Sequence, residues 1–248
     1  MSAPAQDAGR LILVPTPIGN LGDMTIRAVE VLKGADHVAC EDTRTSRRLL
    51  DHFGVTTPVS SYHDFSSERD RQRLVRRLSA GETVALISDA GMPGISDPAY
   101  RLVNEALACG CEVSALPGAS SILPALAASG LPTDRFRFIG FLPRKKGRQT
   151  ALAELVDSPE TTVFLEAPHR LAATLEALAL AAPQRRLCVA REISKIHEEF
   201  LRGGAAELKA HFDEAGIRGE FVLVIEGNKA ATKRRRRIMD DGSEEDGE

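Results

Sequence analysis

The 248-residue sequence contains no tryptophan, and aromatic residues make up only 4% of it. So low an aromatic content argues against a surface whose main task is to stack nucleic-acid bases. The net charge is only −3, from 32 basic and 35 acidic residues, so any nucleic-acid binding must come from local patches. A chain of this length with 43% hydrophobic residues can nevertheless bury a sizeable core.

Patterns for disulfides, metals and membranes are also missing. None of the four cysteines stands in a C-x-x-C pair, which indicates free thiols in a reducing compartment. The six histidines show no paired ligand spacing, so we predict no metal site. The N-terminus has no signal-peptide pattern, and no apolar run is long enough to span a bilayer. We therefore expect a cytoplasmic protein without a membrane segment.

Short apolar segments alternate with helix signals through the first half of the chain. The predicted strands cover 11–14, 37–40, 55–61, 83–88 and 112–116. The helices are expected to start near Thr25, Thr43 or Thr45, Ser67, Asp97 and Ala119. Repeated strand–helix units predict an α/β fold whose N-terminal domain is an open, mostly parallel five-stranded sheet with helices on both faces.

A second α/β unit is predicted after the Gly- and Pro-containing segment 130–133. Its strands cover 136–141, 161–165, 186–190, 196–201 and 220–226, and its shorter connections favour a mixed sheet. Its helices begin near residues 149, 169 and 205. We predict a disordered N-terminus (1–10), an N-terminal domain (11–130), a C-terminal domain (131–228) and a disordered charged tail (229–248). Two domains of similar size would leave a cleft between them.

Three loops rich in glycine and proline follow strands of the first domain. They cover Pro15–Asp23, Ser88–Pro98 and Pro117–Ser120. Ligands of open α/β sheets bind at the carboxyl ends of the strands, so three such loops favour a small-molecule pocket over simple tight turns. The loops contain no nucleotide-binding glycine motif and neither lysine nor arginine. Their carboxylates and apolar side chains suit a cationic or hydroxyl-rich ligand better than a pyrophosphate.

Polar clusters follow several other strands. Glu41 and Asp42, with Arg44 close behind, are suited to act as a base or to hold hydroxyl groups, although an acid-rich helix start would look the same. The loop 144–148 carries four cations in five residues and is either a solvated loop or a contact for phosphates. Polar clusters also occupy 166–170 and 191–195.

Longer strings in these loops resemble the ribosomal RNA small subunit methyltransferase I family. The strings are PTPIGNLGDMTIRA (15–28), EDTR (41–44), SDAGMPGISDP (88–98), LPGAS (116–120), GFLPRK (140–145), EAPHR (166–170) and AREISK (190–195). Members of that family are cytidine-2′-O-methyltransferases of the tetrapyrrole methylase superfamily. The resemblance runs from about residue 11 to residue 227.

This resemblance implies a fold, a cofactor and a substrate. The implied fold has two α/β domains of tetrapyrrole-methylase type, with S-adenosylmethionine in the cleft between them. The implied assembly is a homodimer. The implied substrate is a cytidine in the decoding centre of 16S rRNA, presented on the small ribosomal subunit.

The resemblance and the loop positions together select candidate site residues. The candidates for cofactor binding are Pro15, Pro17, Gly19, Asn20, Asp89, Ala90, Gly91, Pro93, Ile95, Ser96, Asp97, Pro117, Gly118 and Ser120. The candidates for catalysis are Glu41, Asp42, Arg44, Asp89, Glu166 and His169, and the sequence does not choose a base among them. The candidates for RNA binding are Arg144, Lys145, Lys146, Arg148 and Arg170.

Two other functions stay open at this point. A methylase of the same fold could act on a tetrapyrrole or a protein side chain, since the cations of 144–148 would also bind a polycarboxylate. A non-enzymatic RNA-binding assembly factor on the same fold is the other alternative. The intact strings EDTR and SDAGMPGISDP argue against such a loss of activity.

Overall fold

The computed structural model describes residues 9–63, 66–95 and 99–228, which form two compact α/β units. The first unit ends at Ser120 and the second begins at Ser121. The boundary predicted at residue 130 lies later than this division and places the helix Ile122–Ala128 in the first domain. The structure packs this helix against strands of the second unit, with Ala125 and Leu126 buried.

The first unit is a parallel sheet, as predicted. Its strands are β1 (Arg10–Leu13), β2 (His37–Cys40), β3 (Val59–Ser61), β4 (Thr83–Ile87) and β5 (Glu112–Ala115), in the spatial order β3-β2-β4-β1-β5. Its α-helices, within the described residues, are α1 (Ile26–Gly34), α2 (Thr43–His52), α3 (Glu68–Ser79) and α4 (Ala99–Ala108). Each pair of neighbouring strands runs parallel, so all the strands end at the same edge.

Two apolar clusters cover opposite faces of this sheet. On one face, Leu74 of α3 and Leu102 of α4 pack with β-strand residues such as Leu86. On the other face, Leu32 of α1 and Leu50 of α2 pack with strand residues that alternate with the first set. Because each helix runs back antiparallel to the strand before it, helices and post-strand loops both begin at the carboxyl edge of the sheet.

The second unit contains the predicted mixed sheet. Its strands are β6 (Phe136–Phe141), β7 (Thr161–Glu166), β8 (Arg186–Arg191), β9 (Glu199–Gly204) and β10 (Phe221–Ile225), in the order β6-β7-β10-β8-β9. Only β6 and β7 pair in parallel among these described strands. The helices are α5 (Ile122–Ala128), α6 (Arg148–Asp157), α7 (Pro168–Ala181) and α8 (Ala205–Ala215), and α7 and α8 share one buried core with the sheet.

Several segment boundaries differ from the sequence-based ones. The strand predicted at 55–61 is shorter, since β3 covers only Val59–Ser61. Gly9 and Arg10, predicted as disordered, belong to the fold, because Gly9 O accepts from Glu112 N–H at 2.9 Å and β1 begins at Arg10. β9 begins at residue 199 and not at 196. The delay arises because Glu192 and Ser194 adopt positive φ angles of 50° and 68°, which makes a tight turn before the strand.

Some predictions fall outside the described residues. These are the disorder of residues 1–8 and 229–248, and the cofactor-binding roles of Ser96 and Asp97. Within the described ranges, no helix is both long and apolar enough to cross a membrane. The same ranges hold no group of three or more His, Cys, Asp or Glu side chains arranged to bind a metal ion.

Candidate functional site

Thr16 joins the loop after β1 to the loop after β4. Its N–H and carbonyl pair with Gly91 in both directions, at 3.0 and 2.9 Å, and its buried hydroxyl donates to Ser88 O at 3.0 Å. Gly91 has a φ of +80°, and a Cβ there would lie 3.4 Å from Ile18 Cγ2 and 3.8 Å from Ala119 O. This position favours glycine because of both its left-handed backbone and its close neighbours.

The loop after β5 closes on Pro15. A Cβ at Gly118 would lie only 2.7 Å from Pro15 Cβ and 2.9 Å from its Cγ, so any larger residue would force the two loops apart. Leu116 N–H also donates to Leu13 O at 2.9 Å, which extends the parallel pairing to the loop. The three loops predicted to bind a cofactor therefore lie together at one edge of the sheet.

The loop after β1 also shows how its polar residues are used. Asn20 accepts from Gly22 N–H through its side-chain oxygen at 2.9 Å and caps a short 3-10 helix, Leu21–Asp23. Asn20 therefore stabilises the loop itself. Several of the other candidates expose their surface to solvent at this edge: Gly19, Asp89, Ala90, Ile95, Pro117 and Gly118.

Asp42 is the N-cap of α2, which begins at Thr43, one of the two predicted starts. Its Oδ1 accepts from Arg44 N–H at 2.7 Å, and its Oδ2 pairs with Arg44 Nη2 at 3.2 Å. The backbone hydrogen bond from Arg44, followed by the one from its side chain, lowers the pKa of the Asp42 carboxyl below its ordinary value. A carboxylate with such low proton affinity is poorly suited to be a general base.

Glu41 and Asp89 lie next to this cap. Asp42 N–H donates to Asp89 Oδ1 at 3.2 Å, which ties the start of α2 to the loop after β4. Glu41 lines a small pocket together with Ser88 and Pro93. The remaining pocket walls are Tyr62, Leu86, Ile87 and Ala99. Three of the acidic candidates therefore come together at the edge that also holds the three loops predicted to bind a cofactor, and Glu41 lines the pocket.

Tyr62 is a pocket residue that the sequence analysis missed. It follows β3 directly, and its N–H donates to Cys40 O at 2.7 Å, which extends the pairing of β2 and β3. Burial raises the pKa of the Tyr62 phenol, so the group stays protonated. The rule that residues after parallel strands gather at one edge would have selected it, just as it selected Glu41 after β2.

Glu166 ends β7 and is completely buried. Its Oε1 accepts from Ala167 N–H at 2.9 Å and pairs with Arg170 Nη2 at 2.7 Å. Its Oε2 accepts from the Thr174 hydroxyl at 2.6 Å and pairs with Arg148 Nη2 at 3.2 Å. Four donors thus occupy the carboxylate. Thr174, which lies two helical turns further along the chain, was not selected from the sequence.

The two arginines of this network also hold the basic loop. Arg148 donates to Pro143 O at 3.3 Å, and Arg170 donates to Leu142 O at 2.8 Å. Their side chains are only 18% and 14% exposed. The three cations of 144–146, between these anchors, are exposed. The structure therefore divides the five residues predicted to bind RNA into two mostly buried anchors and three exposed cations.

His169 lies at the start of α7 and is exposed. Both His169 and the buried network around Glu166 belong to the second unit. Glu41, Asp42, Arg44 and Asp89 belong to the first unit. The predicted catalytic residues thus form two groups, one in each unit.

The fold and the loops at the sheet edge are those of a methylase class. The family of Tetrapyrrole (Corrin/Porphyrin) Methylases matches residues 10–209 of the chain. A solved structure of diphthine synthase superposes with a TM-score of 0.67 at 17% identity, over 92% of this chain and 95% of that one. At this identity, the structural likeness supports the fold alone.

Sequence relatives narrow the class to one family. A protein of Halalkalibacterium halodurans named ribosomal RNA small subunit methyltransferase I is 50% identical over 223 residues, which is 90% of this chain and 77% of the relative. A protein of the same name from Synechocystis sp. is 50% identical over 88% of this chain and 79% of the relative. The chain belongs to the ribosomal RNA small subunit methyltransferase I family, as the motif strings predict.

Proposed function

We propose that this protein transfers a methyl group from S-adenosylmethionine to the ribose 2′-oxygen of a cytidine in the decoding centre of 16S rRNA, on the small ribosomal subunit. The observation that carries the proposal is the meeting of three glycine- and proline-rich loops at the carboxyl edge of the parallel sheet, beside Glu41. The names of the curated relatives support rRNA of the small subunit as the substrate class.

The residues at this edge fit the chemistry of S-adenosylmethionine. Asp89 offers a carboxylate to an ammonium group or to ribose hydroxyls, while Ile18, Met92 and Ile95 offer apolar contacts. When bound, the cofactor supplies an activated methyl group on a sulfonium centre.

Methyl transfer requires an acceptor oxygen held in line with that methyl group, roughly 3–3.5 Å away. A ribose hydroxyl is a weak acid, so a base beside it accelerates the reaction by about 10²–10⁴-fold. We assign this role to Glu41, because it lines the pocket at the edge of the sheet where the three loops meet. Tyr62, whose phenol stays protonated, is part of the wall of the same pocket.

The exposed cations of 144–146 are suited to bind phosphates of the RNA. They lie on a loop whose two ends are fixed by Arg148 and Arg170, so little ordering is required when the phosphates bind. A pre-ordered basic loop is more useful for holding an rRNA segment than a freely moving one.

The test uses small subunits from a strain that lacks this protein, labelled S-adenosylmethionine, and mass spectrometry of the product. We expect one methyl group on the 2′-oxygen of a single cytidine. Gly118→Ala is expected to abolish cofactor binding in calorimetry, because the new Cβ collides with Pro15. Gly34→Ala is the matched control, since a Cβ at Gly34 meets nothing within 4 Å.

Three results would contradict the proposal. Label on protein or on a base would reject the 2′-oxygen as the acceptor. Absence of label with wild-type enzyme, subunits and cofactor would reject the activity. Wild-type cofactor affinity in folded Gly118→Ala would reject the loops as the cofactor site.

A further inference from the structure

Helix α2 begins beside the candidate site and carries three arginines on one side of its first six residues. Arg44, Arg47 and Arg48 are spaced three and four residues apart, so they share a face, and all three are exposed. This set is called the arginine face below. Arg44 is 91% exposed even though it pairs with Asp42.

The charges of the arginine face are placed where the helix itself does not favour them. The first turn of α2 contains no acidic residue, and Arg44 lies in that turn, close to the positive end of the helix dipole. Like charges three and four residues apart on a helix also repel each other. Apart from the ion pair between Arg44 and Asp42, local helix interactions do not favour this arrangement.

Arg47 and Arg48 differ from Arg44 in their ion pairing. No carboxylate of the described ranges forms an ion pair with either side chain, although Asp51 follows Arg47 by four residues. By contrast, the basic residues Arg76 and Arg77 of α3 lie in its last turn, where the dipole favours cations. The last-turn arginines of α3 thus have an explanation in the helix dipole that Arg47 and Arg48 lack.

The position of the arginine face fits the substrate of the proposed reaction. Asp42, which caps α2, donates its N–H to Asp89 in the loop after β4. The arginine face therefore lies on a helix that begins at the sheet edge where Glu41 lines the pocket. Guanidinium groups bind phosphate oxygens in pairs and are stronger phosphate ligands in this geometry than ammonium groups. A strand of RNA whose target ribose lies at this edge would carry its neighbouring phosphates past this helix.

We infer that the arginine face binds the phosphodiester backbone of the RNA next to the target ribose. This inference rests on the proposed function and adds to it an RNA contact on the first unit, separate from the basic loop of the second. The other occupant of comparable charge, an acidic protein segment, is an outcome of the test.

The test compares Arg47→Gln/Arg48→Gln with Arg73→Gln/Arg76→Gln in the full chain. The control pair removes the same charge from exposed positions of α3, on the opposite face of the sheet. Binding to small subunits, to protein-free 16S rRNA and to polyglutamate is measured over a range of salt concentrations. We expect the first pair to weaken RNA binding about tenfold and to reduce the slope of log K against log salt by about 1.4, as two lost phosphate contacts to a single strand require. The control pair should change neither value.

The outcomes separate this inference from the proposed function. Unchanged affinity and slope in Arg47→Gln/Arg48→Gln, with methyl transfer intact, would overturn the arginine face and leave the proposed function standing. Weakened RNA binding by the same variant, with no methyl transfer by the wild type, would retain the RNA contact and reject the reaction. If the variant lost affinity for small subunits or polyglutamate but bound protein-free 16S rRNA as before, RNA would be rejected as the occupant.

Discussion

Replacing Glu166 by glutamine removes a carboxylate charge that two arginines share inside the second unit. Glutamine keeps the side-chain length and one acceptor oxygen, but it leaves Arg148 and Arg170 without a counter-charge. Because both oxygens of Glu166 are occupied and the side chain is fully buried, we expect the substitution to lower stability and to act on turnover only through the fold.

The expected size of the loss follows from the burial of the partners. Breaking a buried ion pair from one side costs about 3–5 kcal/mol, because the remaining charge is desolvated without compensation. Arg148 and Arg170 keep 18% and 14% of their side-chain exposure, so the lower end, about 3 kcal/mol, is expected. For a protein of this size, that loss corresponds to roughly 6–12 °C in Tm.

Glu226→Gln provides a matched control in the same unit. Glu226 is also nearly buried and also pairs with an arginine, but Arg186 is 57% exposed and can be solvated when its partner is lost. We expect a smaller loss of stability for this variant than for Glu166→Gln, because its ion-pair partner Arg186 remains in contact with solvent. The assay is thermal unfolding of both variants, with turnover then measured at a temperature where both are folded.

The reasoning would be refuted by a specific pattern of results. If Glu166→Gln melted like the wild type but lost its turnover at saturating cofactor and subunits, Glu166 would be a catalytic residue and the network only a feature of the protein without substrate. Equal losses of Tm in Glu166→Gln and Glu226→Gln would show that burial of the arginine partner does not set the cost.

Further predictions concern three other regions. Glu41→Gln is expected to lower turnover at least about tenfold, whereas Asp42→Asn should keep turnover near wild type because asparagine also caps helices; kinetics at saturating cofactor would contradict this if the two effects were reversed. Serine at all three positions of 144–146 should reduce the salt slope of RNA binding by about 2 without changing cofactor affinity, and an unchanged slope would mean a merely solvated loop. Burial, followed by nearby arginines, lowers the pKa of His37 below its ordinary value of 6.5, so the unfolded chain binds this proton more tightly. Stability should therefore fall as pH drops below about 6.5, and urea unfolding of His37→Gln should show a shallower fall than the wild type.

Most strands were predictable because they are short apolar segments bounded by glycine, proline or a helix cap. The segment before β9 shows the limit of such patterns. Ile196 looks like the start of a strand, but Lys195 and Glu192 are held at the turn by contacts with Glu220, far along the chain. Periodicity reports only local sequence, so it cannot register a turn that a distant residue stabilises.

The candidate site was predictable in its position but not in the use of each side chain. The rule of the carboxyl edge located the three loops and the Glu41–Asp42 pair, because it depends on strand direction alone. The network around Glu166 draws on the start of α6, the end of β7 and the first two turns of α7. Only tertiary packing brings Arg148 and Thr174 to the same carboxylate, so the sequence did not reveal that Arg148 also anchors the basic loop.

Acidic residues at strand ends can serve either chemistry or the fold, and the position of each one in the structure bears on which role it takes. Asp42 receives a backbone N–H and a guanidinium from Arg44, which assigns it to the helix start. Glu166 receives four donors in a dry interior, which assigns it to the basic loop and α7. Glu41 is the acid that the same sheet edge places against a pocket. A base must exchange its proton with a substrate, so it needs an oxygen that such a substrate can reach, and the search for catalysis in this chain therefore begins at Glu41.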